Sequence, residues 1–329
     1  MGNKTSQNSC FSVSLDFPKV FLSTVYTVVF FFGLLSNCFG LKSIVKNWRK
    51  LGNIKIFALN LCIADILYLL TLPFLVAYYI NSREWIFGQP FCKITRILFN
   101  INLYGSIGFL TCISVYRYLG VVHTLKVKGR IKVRHSTGIS VLVWILVLVQ
   151  CLPDVYFDKT GQNKSQCFDT TDNNSTEKYL KYSITQTVTG FVIPLVLMVC
   201  CYGHMAVILA TNKDIGDTQL KLKCLRLVVV LAMLFSICYI PFHIFRNLNL
   251  MTRISKHFHR SCKPWYSSMY IAKHISDGLA CLNSALNPLV YLINADDLLK
   301  RGFRFRKKQQ EDPRLPCPTL EQTNLTYVK

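Results

Sequence analysis

Three side chains able to bind an anion follow a proline near the end of one apolar stretch, residues 227–250. His243, Arg246 and Asn249 are spaced by three, so on a helix they share one face just beyond Pro241. The stretch can cross a bilayer, because about 20 apolar residues span the hydrocarbon core. A proline inside a helix removes a backbone donor and kinks it, and charge at membrane depth normally faces a cavity or a ligand. The pattern predicts a bent membrane helix that presents a polar face to a ligand.

The composition of the whole chain predicts a membrane protein. Of 329 residues, 51% are hydrophobic and 16% are charged, with a mean hydropathy of +0.32, whereas soluble domains carry about 25% charged residues. The net charge of +22 is divided into short blocks between apolar runs, which argues against a nucleic-acid partner. We predict a bundle of seven membrane-spanning helices. The predicted spans are 21–45, 56–80, 97–121, 137–157, 182–209, 225–250 and 266–293.

The basic loops orient these spans. Blocks of Lys and Arg follow the first and third spans and fill the region after the seventh, so these three regions are predicted to be cytoplasmic. The N-terminus is then outside, as in a multi-pass protein of the plasma membrane. A basic and apolar segment after the last span is predicted to lie as an amphipathic helix on membrane lipid. The predicted regions are an extracellular N-terminus, 1–20; a seven-helix core, 21–293; the amphipathic helix, 294–308; and a cytoplasmic tail, 309–329.

The outer segments hold residues suited to an oxidising exterior. Four of the 14 cysteines lie there, where disulfides are permitted and three connectivities are possible. These cysteines are Cys10, Cys92, Cys167 and Cys262. N-glycosylation sequons on the same side begin at Asn3, Asn163, Asn173 and Asn174. Both sets agree with an external N-terminus.

The third outer loop departs from the usual charge rule. Outer loops normally contain few Lys and Arg, yet the end of span six and the start of span seven carry many, with no acid before Asp277. The cluster favours an anionic small-molecule ligand; a solvated basic loop is the alternative. Its members are Arg246, Arg253, Lys256, His257, His259, Arg260, Lys263, Lys273 and His274.

Ordered motifs along the seven spans point to a family. They are Asn37, Asn60-Leu-Cys-Ile-Ala-Asp65, Tyr116-Arg117-Tyr118, Trp144, Pro194, Tyr202, Phe235-x-x-Cys238-Tyr239-x-Pro241 and Asn287-Pro288-x-x-Tyr291. With these motifs the chain resembles the rhodopsin-like G-protein-coupled receptors across its whole membrane core. The resemblance implies a seven-helix receptor that couples to a heterotrimeric G protein and is not an enzyme. The motif residues implied in activation are Tyr116, Arg117, Tyr118, Tyr202, Phe235, Pro241, Asn287, Pro288 and Tyr291.

Further runs resemble the purinergic nucleotide receptors, and among them the ADP-responsive, phospholipase-coupled type. They are Trp85-Ile-Phe-Gly-Gln-Pro-Phe-Cys92-Lys, Asn102-Leu-Tyr-Gly-Ser106, Leu110-Thr-Cys-Ile-Ser114, Cys167-Phe-Asp-Thr-Thr171 and Tyr239-Ile-Pro-Phe-His243. The resemblance implies an extracellular nucleotide such as ADP or ATP as the ligand, with signalling through a Gq-type protein and phospholipase C. Receptors for oxoglutarate and succinate share parts of the pattern, so a dicarboxylate or a lysolipid is the alternative ligand.

The resemblance also implies a set of ligand-binding residues. Asn100 stands where a histidine is common, and Arg246 replaces a lysine with a fork suited to phosphate. Asp277 stands where an arginine is usual; it would repel a polyphosphate, or pair with Arg246 or Lys273. The implied ligand-binding set is Arg96, Asn100, Tyr104, Asp169, His243, Arg246, Asn249, Lys273, His274 and Asp277.

Other implied features concern bonds and ions. The resemblance pairs Cys92 with Cys167 and Cys10 with Cys262. It also places an allosteric sodium ion, the only cofactor expected, beside Asp65; a buried polar network without sodium is the alternative. The residues implied around that ion are Asp65, Ser106, Asn283 and Asn287. Tyr116 replaces the acid that usually pairs with Arg117, so that salt bridge cannot form.

Two other classes of membrane protein fit the sequence less well. A transporter or channel would also have several spans, but no internal repeat of the kind common in transporters is apparent. A membrane enzyme would need a catalytic motif, and no metal-ligating His cluster, P-loop or serine-triad motif stands out in the sequence.

Overall fold

The described part of the chain is helical almost throughout. The computed structural model describes residues 16–46, 52–122, 132–160, 166–211, 218–258 and 263–311, and their side chains except at 121, 209–210, 218–228, 231, 258 and 289–311. Within these ranges the only β pairing is one bridge between Thr160 and Cys167.

Seven helical spans follow one another, as predicted. The first is Asp16–Lys46, the second Asn53–Leu69 with Leu72–Ile80, the third Gln89–Val122, and the fourth Val133–Cys151 with a 3₁₀ turn, Leu152–Val155. The fifth is Thr176–Thr187, a π turn at Val188–Val192, and Ile193–Thr211; the sixth is Thr218–Phe258 and the seventh Trp265–Glu311. Over the described residues, the first five are long and apolar enough to cross a membrane. Side chains in parts of the other two are not described.

The third span lies at the centre of the bundle. About 67% of its most apolar window is buried, against 22% for the fourth and fifth spans. Leu103, Ile107 and Leu110 of the third span pack in one buried cluster with Phe235 and Phe242 of the sixth. The exposed apolar side chains of the fourth span, such as Leu146 and Val149, suit contact with lipid. Side chains on the outer half of the third span therefore face several other spans at once.

Among the described residues, two spans, the second and the fifth, are interrupted, and two others contain a proline inside a continuous helix. The second span breaks at Leu70–Thr71, just before Pro73, which has no backbone N–H to donate; the Thr71 hydroxyl donates to Tyr68 O at 2.7 Å. The π turn precedes Pro194. The sixth span contains Pro241, as predicted, and the seventh contains Pro288. The sequence pattern predicted neither the break at Leu70–Thr71 nor the π turn.

Gly190 permits a close approach within the π turn. A Cβ atom at this position would lie 2.1 Å from Gln150 Nε2 and 2.6 Å from the Tyr104 ring. Only glycine therefore lets the third, fourth and fifth spans meet here.

The helix of the seventh span continues without a break through residues 294–308. The predicted separation of an amphipathic helix at residue 294 stays a prediction, since side chains beyond residue 288 are not described.

Candidate ligand-binding site

A buried cavity lies between the outer halves of the spans and the second outer loop. It has a volume of about 20 Å³, which is room for about one water molecule. A larger ligand requires some lining side chains to move apart. The lining residues are Tyr26, Tyr68, Leu75, Arg96, Phe99, Asn100, Asp169, Thr170, Phe242, Arg246 and Asp277. The cavity thus brings together five of the ten predicted ligand-binding residues.

Arg246 of the sixth span is held by neutral oxygen atoms from neighbouring spans. Its Nη2 donates to Tyr179 Oη and to Gln186 Oε1, each at 3.0 Å, and its Nη1 donates to Tyr104 Oη at 3.4 Å. The side chain is 3% exposed. Among the described residues no carboxylate forms an ion pair with Arg246, so its charge is available to an incoming anion.

Arg96 of the third span is the second cation of this kind. A disulfide joins Cys92, one turn earlier, to Cys167 of the second outer loop, as predicted. The bond fixes the Cys167 carbonyl oxygen, which accepts from Arg96 Nη2 at 2.8 Å. The Nε of Arg96 is buried without a hydrogen-bond partner in the described part of the chain. It retains a donor for a ligand. The predicted Cys10–Cys262 bond lies outside the described residues.

Lys273 of the seventh span is already paired with two acids. Its Nζ donates to Asp169 of the second outer loop, and lies 2.7 Å from Asp277 Oδ2. His274 Nδ1 is 3.4 Å from the same Asp277 oxygen. Of the two partners predicted for Asp277, the structure therefore gives Lys273 rather than Arg246.

The second outer loop closes onto the seventh span through Asp169. Burial alone would raise the pKa of this carboxyl, but the charges of Lys273 and Arg96 hold its pKa well below the usual range. Asp169 is therefore ionised at neutral pH and competes with any anion for Lys273.

Asp154 and Lys159 form a fully buried ion pair beside the cavity, which the sequence pattern did not predict. Lys159 Nζ lies 2.7 Å from Asp154 Oδ1, and Asp154 Oδ2 accepts from Asn100 at 2.9 Å. Asp154 falls near the end of the predicted fourth span, 137–157, and Lys159 just past it, where charged residues are typical of a solvated loop, so nothing in the pattern signalled burial. Tyr179 and Gln186, which hold Arg246, were likewise not predicted.

The predicted polar face of the sixth span only partly faces the cavity. His243 is buried, stacks on Phe191 at 4.3 Å, and has Nδ1 3.3 Å from Thr187 Oγ1 of the fifth span. Neither His243 nor Asn249 lines the cavity, whereas Arg246 does. Their direct contact with a ligand stays a prediction.

A second polar cluster surrounds Asp65 in the middle of the bundle. Asn287 Nδ2 lies 3.1 and 2.9 Å from the two carboxylate oxygens, and Asn102 Nδ2 donates to Oδ1 at 2.8 Å. Asn287 Nδ2 also lies 3.4 Å from Ser106 Oγ. No hydrogen bond between described atoms joins Asn283 to Asp65. Asn102, part of a quoted motif, was not predicted in this role.

Several of the motif residues implied in activation lie at the inner ends of the spans. Asn53, the first residue of the second span, donates to Tyr116 Oη at 2.8 Å. Tyr202 contacts Ser114, and Tyr118 Oη lies 2.9 Å from His204 Nδ1. Tyr116 therefore joins the third span to the second, where the usual acid would pair with Arg117. The side chain of Tyr291 is not among those described.

Two predicted glycosylation sites are described. Asn173 and Asn174 are exposed in the second outer loop, and Asn173 Oδ1 accepts from Arg253 Nη2 at 2.9 Å. Asn3 and Asn163 lie outside the described residues. Modification of all four stays a prediction.

The fold and site define a multi-pass membrane protein with a buried, charged cavity at its outer end. Residues 36–291 match the family of 7 transmembrane receptors of the rhodopsin family. The chain is 38% identical to purinoceptor 1 of Mus musculus, covering 92% of this chain and 82% of the relative. For purinoceptor 1 of Gallus gallus the identity is 37%, covering 98% and 89%, and for purinoceptor 3 of Gallus gallus it is 36%, covering 88% and 90%.

The chain belongs to the rhodopsin family of seven-transmembrane receptors and, within it, to the same group as these purinoceptors. It is therefore a G-protein-coupled receptor of the plasma membrane rather than an enzyme, and it responds to an extracellular small molecule.

Proposed function

We propose that this receptor binds an extracellular nucleotide, of the ADP or ATP type, in the outer cavity. The observation that carries the proposal is the pair of buried guanidinium groups, Arg96 and Arg246, which line one cavity and are held only by neutral acceptors among the described residues. Guanidinium groups bind phosphate oxygens with two parallel hydrogen bonds. The names of the relatives, purinoceptors, support a purine-bearing ligand.

The cations do not contribute equally to phosphate binding. Lys273 already neutralises Asp169 and Asp277, so a phosphate there must displace a carboxylate. Arg96 and Arg246 need no such exchange. We therefore place the phosphates at the two arginines, and Asp277 limits how much negative charge the outer side of the cavity accepts.

The proposed signal passes along the sixth span. The ligand contacts Arg246, on the outer side of Pro241. From there the sixth span continues to the cytoplasmic side of the bundle, where Arg117 of the third span also lies. A ligand shifts a conformational equilibrium only by its difference in affinity for the two states. We propose that it favours the state in which the sixth span pivots at Pro241 and admits a Gq-type protein, which activates phospholipase C.

We also propose that Asp65 binds an allosteric sodium ion. Its hydrogen-bond partners in the described residues are neutral groups, so a negative charge on this buried carboxylate has no protein cation to compensate it, and a bound sodium ion would supply that compensation. Asn287 Oδ1 is buried without a hydrogen-bond partner among the described atoms, and Ser106 Oγ lies nearby. Hard cations prefer such oxygen ligands, so Asp65, Ser106 and Asn287 fit the ion; Asn283, also buried, adds another amide.

Calcium release in transfected cells tests the ligand. Cells that express the receptor are challenged separately with ADP, ATP, oxoglutarate, succinate and lysophospholipids, with untransfected cells as the control. We expect a response to a nucleotide that disappears when phospholipase C is inhibited. Silence to every nucleotide, together with a response to a dicarboxylate or a lysolipid, would replace the nucleotide with that ligand. A nucleotide response that survives phospholipase inhibition would contradict the proposed Gq pathway but not the nucleotide ligand.

A further inference from the structure

The fully buried pair of Asp154 and Lys159 lies next to the proposed ligand site without lining the cavity itself. Both side chains have zero exposure, which is rare for Asp and Lys unless they are paired. Asp154 comes from the 3₁₀ turn that ends the fourth span, and Lys159 from the second outer loop. A buried ion pair is weak evidence for stability, because apolar replacements of the same size are often as stable. Its informative property is what it contacts.

The pair contacts the third and fifth spans at once. Asp154 uses one oxygen for Lys159 and the other for Asn100 Nδ2, at 2.9 Å. Lys159 Nζ donates to Thr170 O and, at 3.4 Å, to Tyr179 Oη. Asn100 and Thr170 both line the cavity. The ion pair is therefore bonded to two residues that line the cavity, Asn100 and Thr170.

Tyr179 connects the pair to Arg246. Its hydroxyl oxygen accepts from Lys159 Nζ and also from Arg246 Nη2, at 3.0 Å. Lys159 also lies over the Tyr179 ring, 4.8 Å from its centroid. The phenol oxygen of Tyr179 therefore contacts two cations, and Asp154 neutralises only Lys159, so the Arg246 charge has no carboxylate partner in the described residues. The position of Tyr179, and hence one of the bonds that orient Arg246, depends on Lys159.

We propose that Asp154 and Lys159 are positioning residues for anion binding, which hold Tyr179 and Asn100 so that the Arg246 guanidinium faces the cavity. This inference rests on the proposed anion-binding function of that site. The competing explanation is that the pair only secures the second outer loop in the fold. The two explanations differ in whether a well-folded receptor without the pair still binds an anion normally.

The test is a double variant, Asp154→Asn with Lys159→Met. The introduced amide keeps an oxygen for Asn100, the introduced thioether keeps the apolar stem, and the double change leaves no uncompensated charge in the interior. We expect surface expression close to that of wild type, with ADP potency in calcium release lower by about tenfold. The matched control is Glu177→Gln with Lys181→Met, an exposed pair 3.5 Å apart in the fifth span. It should leave the potency unchanged.

Two further variants separate positioning from folding. Lys159→Arg keeps the donors and the charge, and we expect it to retain ADP potency. When Arg246→Gln is already present, the double change should cause little further loss, because the guanidinium that the pair orients is gone. Normal potency in the surface-expressed double variant, or a full tenfold loss added to that of Arg246→Gln, overturns the proposal.

Pyrophosphate distinguishes failure of this inference from failure of the nucleotide function. Purified wild-type receptor should melt at a higher temperature with pyrophosphate, and the double variant should show a smaller increase. If wild type is silent to ADP but this Lys159-dependent increase is present, the nucleotide function fails and the inference stands. If wild type is silent to ADP and pyrophosphate has no effect, or an effect equal in the double variant, the inference fails as well.

Discussion

The outer cavity and the Asp65 cluster both hold buried acids, but they balance the charge differently. Beside the cavity, Asp154 pairs with Lys159, and Asp169 and Asp277 pair with Lys273. Asp65 is held by neutral amides of Asn102 and Asn287, with no cationic side chain bonded to it in the described residues. At the outer site, an added anion can therefore compete with the acids for the cations. At the inner site, the carboxylate has neutral partners only, so the site can accept a cation. The comparison teaches that charge compensation, more than polarity, indicates which ion a buried site can accept.

The largest expected effect comes from breaking the outer site at Arg246. Arg246→Gln removes the guanidinium while keeping a polar side chain, and nucleotide potency should fall about 100-fold, as for the loss of a buried charged partner. Concentration–response curves of calcium release measure it. The control is Lys181→Gln, which changes an exposed cation of the fifth span that pairs with Glu177. Equal losses in both variants would mean that Arg246 has no special role.

Nucleotide affinity is expected to increase when Asp277, the acid in the cavity wall that pairs with Lys273, is replaced by a basic residue. Asp277→Arg removes a carboxylate that lines the cavity and adds a donor for phosphate, so nucleotide affinity should rise about tenfold. Radioligand competition on intact cells measures the affinity at a known surface density. Asp158→Arg, in which an exposed acid changes, is the control for a general effect of charge. Unchanged affinity with normal surface expression would place Asp277 away from the bound ligand.

The inner site should respond to a cation rather than to an anion. In wild type, replacing sodium by an equal concentration of a large organic cation should raise agonist affinity about fivefold, as for a typical allosteric coupling. Asp65→Asn removes the charge while keeping the side-chain size, and it should abolish this dependence. Agonist binding to membranes in the two salts tests it. A sodium effect of the same size in Asp65→Asn would contradict the proposed site.

The smallest expected effect concerns the neutral contact at the inner end of the bundle. Tyr116→Phe removes only the hydroxyl that accepts from Asn53, so the third span loses one bond to the second. Because one such hydrogen bond contributes about 0.6 kcal/mol, near the lower end of the usual range, basal inositol phosphate production should rise by about threefold. The double variant with Asn53→Ala should show a smaller rise than the sum of the two single variants. An additive effect of the two changes would show that they do not act through this contact.

The spans and the family were predictable from the sequence, because each depends on local features. Apolar length defines a span, blocks of Lys and Arg define its orientation, and motifs such as Asn287-Pro288 keep fixed spacing within one helix. The break at Thr71 and the π turn at Val188–Val192 were not predictable from hydropathy. They depend on backbone bonding near Pro73 and Pro194 and on close approach at Gly190.

The candidate site was predicted in part. Five residues of the predicted set line the cavity, and the family resemblance gave the position of each. They are Arg96, Asn100, Asp169, Arg246 and Asp277. The partners of Arg246 were not predictable, because Tyr179 and Gln186 reach it from the fifth span, 60 or more residues away along the chain. Nothing in the spacing along the chain indicates such distances.

The sequence by itself determined that this chain has seven apolar spans, basic cytoplasmic loops and one exceptional basic cluster at its outer end. The bilayer acts as a solvent that imposes apolar length and loop charge on any spanning helix, so these properties can be derived without a fold. Only the tertiary structure decided which of the outer cations are neutralised by acids. Lys273 is neutralised by acids from a loop and from its own helix, while Arg246 is held by neutral oxygens. Charge compensation depends on contacts between residues far apart in the chain, which only folding brings together.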